Sequence, residues 1–132
     1  MKDLSQLMIA DVMTKAPRSI EPHQSIDLAR QWMDDMKVRH LPVRSGGKLV
    51  GILSERDLNL VAGLQRSKHA LQTVEDAMIS EVRTVTDSRK LKDVAQEMIE
   101  YRIGCVLVVG KDESLLGIFT DTDALRILAG QG

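Results

Sequence analysis

The septet GILSERD at 51–57 returns as GIFTDTD at 117–123, 66 positions further along a chain of 132 residues. That repeat constrains the fold before anything else does, because it divides the chain into two similar units of about 65 residues, each marginal as an isolated domain. Displacing the sequence on itself by 65 superimposes Asp11 on Asp76, Met13 on Met78, Arg18 on Arg83, Gln31 on Gln96, Met33 on Met98 and Val43 on Val108. After the turn that reads RSGGK in the first copy and GKDES in the second, the offset becomes 66 and pairs Leu49 with Leu115, Gly51 with Gly117, Ile52 with Ile118 and Asp57 with Asp123. The extra residue falls in a turn, where folds tolerate insertion.

Each copy reads as a short extended piece (RSI, RTV), a helix, two strands joined by a tight turn and a second helix, an α+β unit of order βαββα. In the first helices, Ile26, Ala29, Met33 and Met36, and then Leu91, Val94, Met98 and Tyr101, keep the spacing that places them on one face, a core stripe. HLPV with KLVGIL, and CVLVV with LLGIF, read as apolar strands bounded by Gly-rich turns. The second helices end in Ala-Gly, where Gly63 and Gly130 are natural stops. The copies span 9–63 and 74–130, and LQRSKHALQT at 64–73 reads as the linker. A sheet with both helices on one face leaves apolar surface that a further layer must bury. The two repeats are therefore expected to pack about a pseudo-twofold axis.

The septets admit two readings. Ser54 or Thr120 at a helix N-cap, with Asp57 or Asp123 three residues on, is a capping box. A helix N-terminus with free N–H groups and a hydroxyl also suits phosphate, and a neighbouring carboxylate can accept from a vicinal diol. Those two features together describe a ribonucleotide, and Gly51 and Gly117 would admit a ligand close to the backbone. Spacing fits both readings equally.

Composition removes other classes. Net charge is −1 without long runs of either sign, and the aromatics are Trp32, Tyr101 and Phe119, so neither a basic footprint nor stacking platforms for nucleic acid are present. The single Cys105 lies in CVLVV and reads as a small core residue in a reducing compartment. No stretch of 18 apolar residues suggests a membrane span, and the N-terminus does not read as a signal peptide, so a cytoplasmic protein is expected. His23 and His69 sit in polar surroundings and His40 opens a strand. None has a metal-ligand partner at the usual spacing, and no nucleophile–base pair or phosphate-binding P-loop is visible, so no enzyme is expected.

With DVMT, HQSIDLARQWMDDMKVRHLPV and GKLVGILSERDL in the first copy, and DAMIS, VAQEMIEYRIGCVLVV and LLGIFTDTDAL in the second, the chain resembles a tandem of cystathionine-β-synthase (CBS) domains, often called a Bateman module. The resemblance covers about residues 9 to 130. It implies that the septets bind phosphate and ribose of AMP, ADP, ATP, NAD or S-adenosylmethionine in clefts between the repeats. Ser54 and Asp57 would serve one site and Thr120 and Asp123 the other. Thr14, Ser19, Ile20, Ile79, Thr84 and Val85 near the first strand would hold the base. His40, Leu41 and Pro42, and Cys105, Val106 and Leu107, at the start of the second, would do so as well.

The copies differ where LPV becomes VLV and where Arg56 becomes Thr122. A guanidinium beside a phosphate adds charge-assisted hydrogen bonds to the first site, whereas the second is ringed by Asp121, Thr122 and Asp123 and should prefer a less anionic ligand unless Mg²⁺ intervenes. Arg56 also fits a solvated first-turn side chain. The expected function is a non-enzymatic regulatory module that senses an adenosine ligand, needs no cofactor, and alters an unidentified partner. The rivals are a ligand-free dimerisation or interaction module, and an enzyme acting on the nucleotide. Related modules pair into a four-unit disc, so a homodimer is expected, with the second helices and Trp32 as apolar candidates.

Overall fold

An antiparallel hairpin forms the centre of each copy. A computed structural model of the chain describes residues 3–64 and 72–130. A 3₁₀ turn over Leu4–Gln6 precedes α1 (Ile9–Val12), β1 (Thr14–Lys15), α2 (Ile26–Met36), β2 (His40–Ser45), β3 (Lys48–Ser54) and α3 (Glu55–Leu64). Beyond 71 come α4 (Val74–Ala77), β4 (Thr84–Thr86), α5 (Leu91–Tyr101), β5 (Cys105–Val109), β6 (Leu115–Thr120) and α6 (Asp121–Leu128). Most of the stretch read as the linker, residues 65–71, lies outside the described residues.

The β2–β3 turn uses Gly46 and Gly47 at φ +59 and +83, the left-handed backbone that favours glycine. Both hairpins slip register at the same place, between Val43 and Arg44 and between Val108 and Val109. The repeat thus extends to its irregularities.

Two sheet assemblies result. The second hairpin belongs to a four-stranded sheet of order β1-β6-β5-β4, with β4 parallel to β5 and β1 antiparallel to β6. The first hairpin repeats that order in reduced form, with Ile79 bridging Ile52 on one edge and Ile20 bridging Val43 in parallel on the other. The expected strand RSI is reduced to that bridge, and Pro42 explains the difference. In the second copy Leu107 N–H donates to Arg83 C=O at 3.0 Å. Pro42 stands at the position of Leu107 and has no N–H to give Arg18.

The compact units do not follow the copies in sequence. One runs from Arg18 to Val82, and the other joins the residues up to Pro17 to those from Arg83 onward. In the first unit Val74 and Ala77 of α4 are buried with Ile20, Ile26, Ala29, Met33, Leu41, Val43, Leu53 and Leu58. In the second, Ile9 of α1 is buried with Val85, Leu91, Val94, Met98, Val106, Val108 and Phe119. The leading segment of each copy therefore completes the core of the other.

Two sequence expectations need correction. The last residue of each first-helix stripe leaves the core: Met36 is 37% exposed and Tyr101 51%. Each ends its helix just before a left-handed cap, Lys37 or Arg102, which turns the chain away. Gly63 does not stop α3, which continues to Leu64. An interior glycine costs a helix only about 1 kcal/mol. Gly130, at φ +79, does take up a left-handed conformation beyond α6.

Candidate functional site

Each septet places a hydroxyl where a strand becomes a helix. Ser54 closes β3 and Thr120 closes β6, and the register sets them opposite His40 and Cys105, the first residues of β2 and β5. The first helical N–H is taken by the main chain: Glu55 N–H donates to Arg39 C=O at 2.9 Å and Asp121 N–H to Gly104 C=O at 3.0 Å. Ser54 Oγ accepts from Asp57 N–H at 3.0 Å, while Asp57 Oδ2 accepts from Ser54 Oγ at 2.7 Å and Ser54 N–H at 3.3 Å. Thr120 and Asp123 repeat the box at 3.3, 3.1 and 2.9 Å. The capping reading is present in full in both copies.

A carboxylate cap also starts the two short helices. Asp11 Oδ2 accepts from Met8 N–H at 2.8 Å and Asp76 Oδ2 from Thr73 N–H at 3.0 Å. A cap of this type is thus a recurrent local device in the chain. The septets add to it a helix of eight residues or more behind the hydroxyl, and the edge of a sheet beside it.

The second helical N–H separates the copies. Thr122 N–H donates to Asp121 Oδ1 at 2.8 Å, so the second septet supplies its own anion there. Among the described residues nothing takes Arg56 N–H in this way. Arg39, whose carbonyl takes the first helical N–H, stands at the position of Gly104 by the offset of 65 and is a cation without a counterpart in the second copy. In sequence the first septet and the residue before β2 carry Arg39 and Arg56 alongside Glu55 and Asp57. In the second septet Asp121 and Asp123 are both acidic, and among the described residues the ion pair there is Arg126 with Asp123.

Of the expected site residues, Ser19, Ile20, His40, Leu41, Pro42, Ser54, Arg56, Asp57 and Ile79 fall in the unit from Arg18 to Val82. Thr14, Thr84, Val85, Cys105, Val106, Leu107, Thr120, Thr122 and Asp123 fall in the other. Thr14 pairs with Ile118, two residues before Thr120, and Ile79 with Ile52, two before Ser54, so the leader segments reach the septet strands. Ile20, Leu41, Val85 and Val106 belong to the cores. What they can offer a ligand is backbone. Pro42 and Leu107 are buried outside those clusters, on the opposite face of their strands. Arg56, Thr84, Thr122 and Ile79 are exposed.

Gly51 and Gly117 have a different partner from the one expected. A Cβ on Gly51 would lie 2.8 Å from Met78 Sδ and 2.9 Å from the Ile79 carbonyl oxygen. On Gly117 it would lie 2.5 Å from Met13 Sδ and 2.8 Å from the Thr14 carbonyl oxygen. The space is filled by the protein's own leader segments, so these glycines serve chain pairing and not ligand approach.

Burial, followed by the charges of Asp123 and Asp121, pushes the Cys105 thiol up to about 12, so it remains protonated and unreactive. Among the described residues no group of three metal-ligating side chains is assembled, and no helix is long and apolar enough to cross a membrane.

Comparison with known proteins places this geometry. A family model described as the CBS domain matches residues 9–61 and 74–130. The crystal structure of the CBS domain pair of protein MJ0100, in complex with 5′-methylthioadenosine and S-adenosyl-L-methionine, is 29% identical, with a TM-score of 0.82 over 95% of this chain and 98% of that one. The structure of CBSX2 in complex with AMP is 29% identical, with a TM-score of 0.77 over 94% and 97%. The homoserine O-acetyltransferase of Methanococcoides burtonii is 31% identical over 95% of this chain, which spans only 25% of that enzyme's length. With both copies matched and the fold shared from end to end, this chain belongs to the CBS domain family.

Proposed function

We propose that the chain is a regulatory module that binds an adenosine-containing ligand, of the class AMP, ADP, ATP, NAD or S-adenosylmethionine, and performs no chemistry of its own. The observation that carries this reading is the doubled septet, a hydroxyl and a carboxylate at a helix start, in a chain whose relatives of matching length hold AMP or S-adenosyl-L-methionine. The hydroxyl and helix end would take phosphate or its replacement, the aspartate would take the ribose diol, and the strand starts and leader segments would hold the base. The Arg18 carbonyl, which receives no N–H from Pro42, offers an acceptor to the amino group of adenine. The balanced charge around the first septet suits AMP or ATP; the second suits an uncharged or cationic adenosine. A homodimer in the cytoplasm acting on a partner protein completes the proposal, with exposed Leu60, Leu125 and Leu128 as the apolar contact.

A ligand-free interaction module is the second reading, favoured by the fact that both capping boxes close without a ligand. Titration calorimetry with AMP, ATP and S-adenosyl-L-methionine, on the parent, Asp57→Ala and Asp123→Ala, separates the two. Hydrogen bonds to a charged group are worth about 1.5–3 kcal/mol, so Asp57→Ala should weaken AMP roughly 10- to 150-fold. A cap alone would lower stability by about 0.5–2 kcal/mol and leave affinity unchanged. Absence of heat with every adenosine ligand, together with a dimer by light scattering, would establish the interaction module.

A further inference from the structure

Both oxygens of the second septet's aspartate are occupied within the protein. Asp123 Oδ2 serves the capping box, and Oδ1 lies 3.5 Å from Arg126 Nη1, one helical turn on. The carboxylate side chain is only 12% exposed and the arginine 56%, so the guanidinium stands on the solvent side of the carboxylate. At the matching position of the first copy the residue is Leu60, 62% exposed and without a donor. Among the described residues Asp57 has no equivalent of this ion pair.

We propose that Arg126 is an internal competitor for Asp123 that lowers the affinity of the second septet for a ribose diol, so that the first septet fills before the second. The proposal rests on the reading above that the septet aspartates accept from ribose. A diol approaching Asp123 must displace the guanidinium from Oδ1 or share the oxygen with it, whereas among the described residues no basic side chain pairs with Asp57. The pair is partly exposed and its geometry long, so the handicap is small. It amounts to about two- to five-fold in affinity, the range of exposed ion pairs, and shrinks as salt rises.

The test uses adenosine and 2′,3′-dideoxyadenosine, which lacks the diol, as probes in titration calorimetry. In a chain carrying Asp57→Ala, which leaves the second septet to be measured, Arg126→Leu should tighten adenosine about two- to five-fold and leave 2′,3′-dideoxyadenosine unchanged. Arg126→Gln, which keeps a donor without the charge, should fall between. In a chain carrying Asp123→Ala, the converse Leu60→Arg, with the parent's oligomeric state verified by light scattering, should weaken adenosine at the first septet by a similar factor. Unchanged or weaker adenosine binding in Arg126→Leu overturns the proposal, the weaker result making Arg126 a ligand contact. If the parent chain binds neither adenosine nor AMP, the reading of the septets themselves fails and this inference falls with it.

Discussion

Cys105 and His40 hold the same place in the two copies, the first residue of the inner strand opposite the septet hydroxyl, and their chemistries differ. The thiol is pushed up to about 12 by burial and by Asp123 and Asp121. A raised acid means that the folded chain keeps a proton which the unfolded chain releases near pH 9. The thiol's contribution is therefore intact below that pH and is lost as pH rises from about 9 toward 12. Urea unfolding of the parent and of Cys105→Ala should show the parent losing about 1 kcal/mol more than the variant between pH 9 and 10. A constant difference across that interval would mean that the thiolate is tolerated and the burial argument fails. The contrast of Arg56 with Thr122 is visible in the sequence alone. The capture of Thr122 N–H by Asp121 is not, because a carboxylate next to a helix start can face solvent, a ligand or its own backbone, and only three-dimensional geometry decides between them.

At the level of elements, periodicity predicts the hairpins, the septet helices and all but the last residue of each core stripe, because each is a local pattern of apolar residues. The edges of the sheets escaped it. Pro42 is visible in the sequence as a difference between the copies, but its effect lies on a neighbouring strand, where Arg18 loses the bond that Arg83 has with Leu107. Gly51 and Gly117 carry the same ambiguity. Both a ligand and another strand demand the absence of Cβ, and the sequence does not say which of them approaches. Since the neighbours include the Thr14 and Ile79 carbonyls, which cannot retreat without breaking the edge pairing, Gly117→Ala and Gly51→Ala should each destabilise by about 1–3 kcal/mol, the cost of overpacking. Chemical denaturation measures it. Alanine at full stability, with ligand affinity lost instead, would return these glycines to the site.

The whole chain is knitted by exchange of its leader segments, and this is what a linear repeat cannot display. Met13 and Met78, like Gly51 and Gly117, are equivalent in the two copies, so pairing a leader with its own copy or with the other satisfies the same sequence pattern. The structure selects the exchange. Ile9 N–H donates to Arg89 C=O at 2.8 Å and Leu91 N–H to Leu7 C=O at 2.9 Å, while Val74 N–H donates to Gln24 C=O at 2.8 Å and Glu75 N–H to Pro22 C=O at 2.9 Å. Ile9 and Val74 are completely buried. A chain divided between residues 67 and 68 therefore yields two halves, neither of which carries a complete core. The first lacks Val74 and Ala77, the second lacks Ile9, and each loses an edge of its sheet. Replacing an aliphatic side chain such as Ile9 by alanine in a core already costs about 2–5 kcal/mol, and loss of a whole leader removes more than one such side chain from a unit near the lower size limit for folding. Each half alone should show no cooperative thermal transition by circular dichroism, and mixing the halves in equal amounts should restore one. If either half melts cooperatively by itself, the leader segments are dispensable and the sequence copy, not the exchanged unit, is what folds.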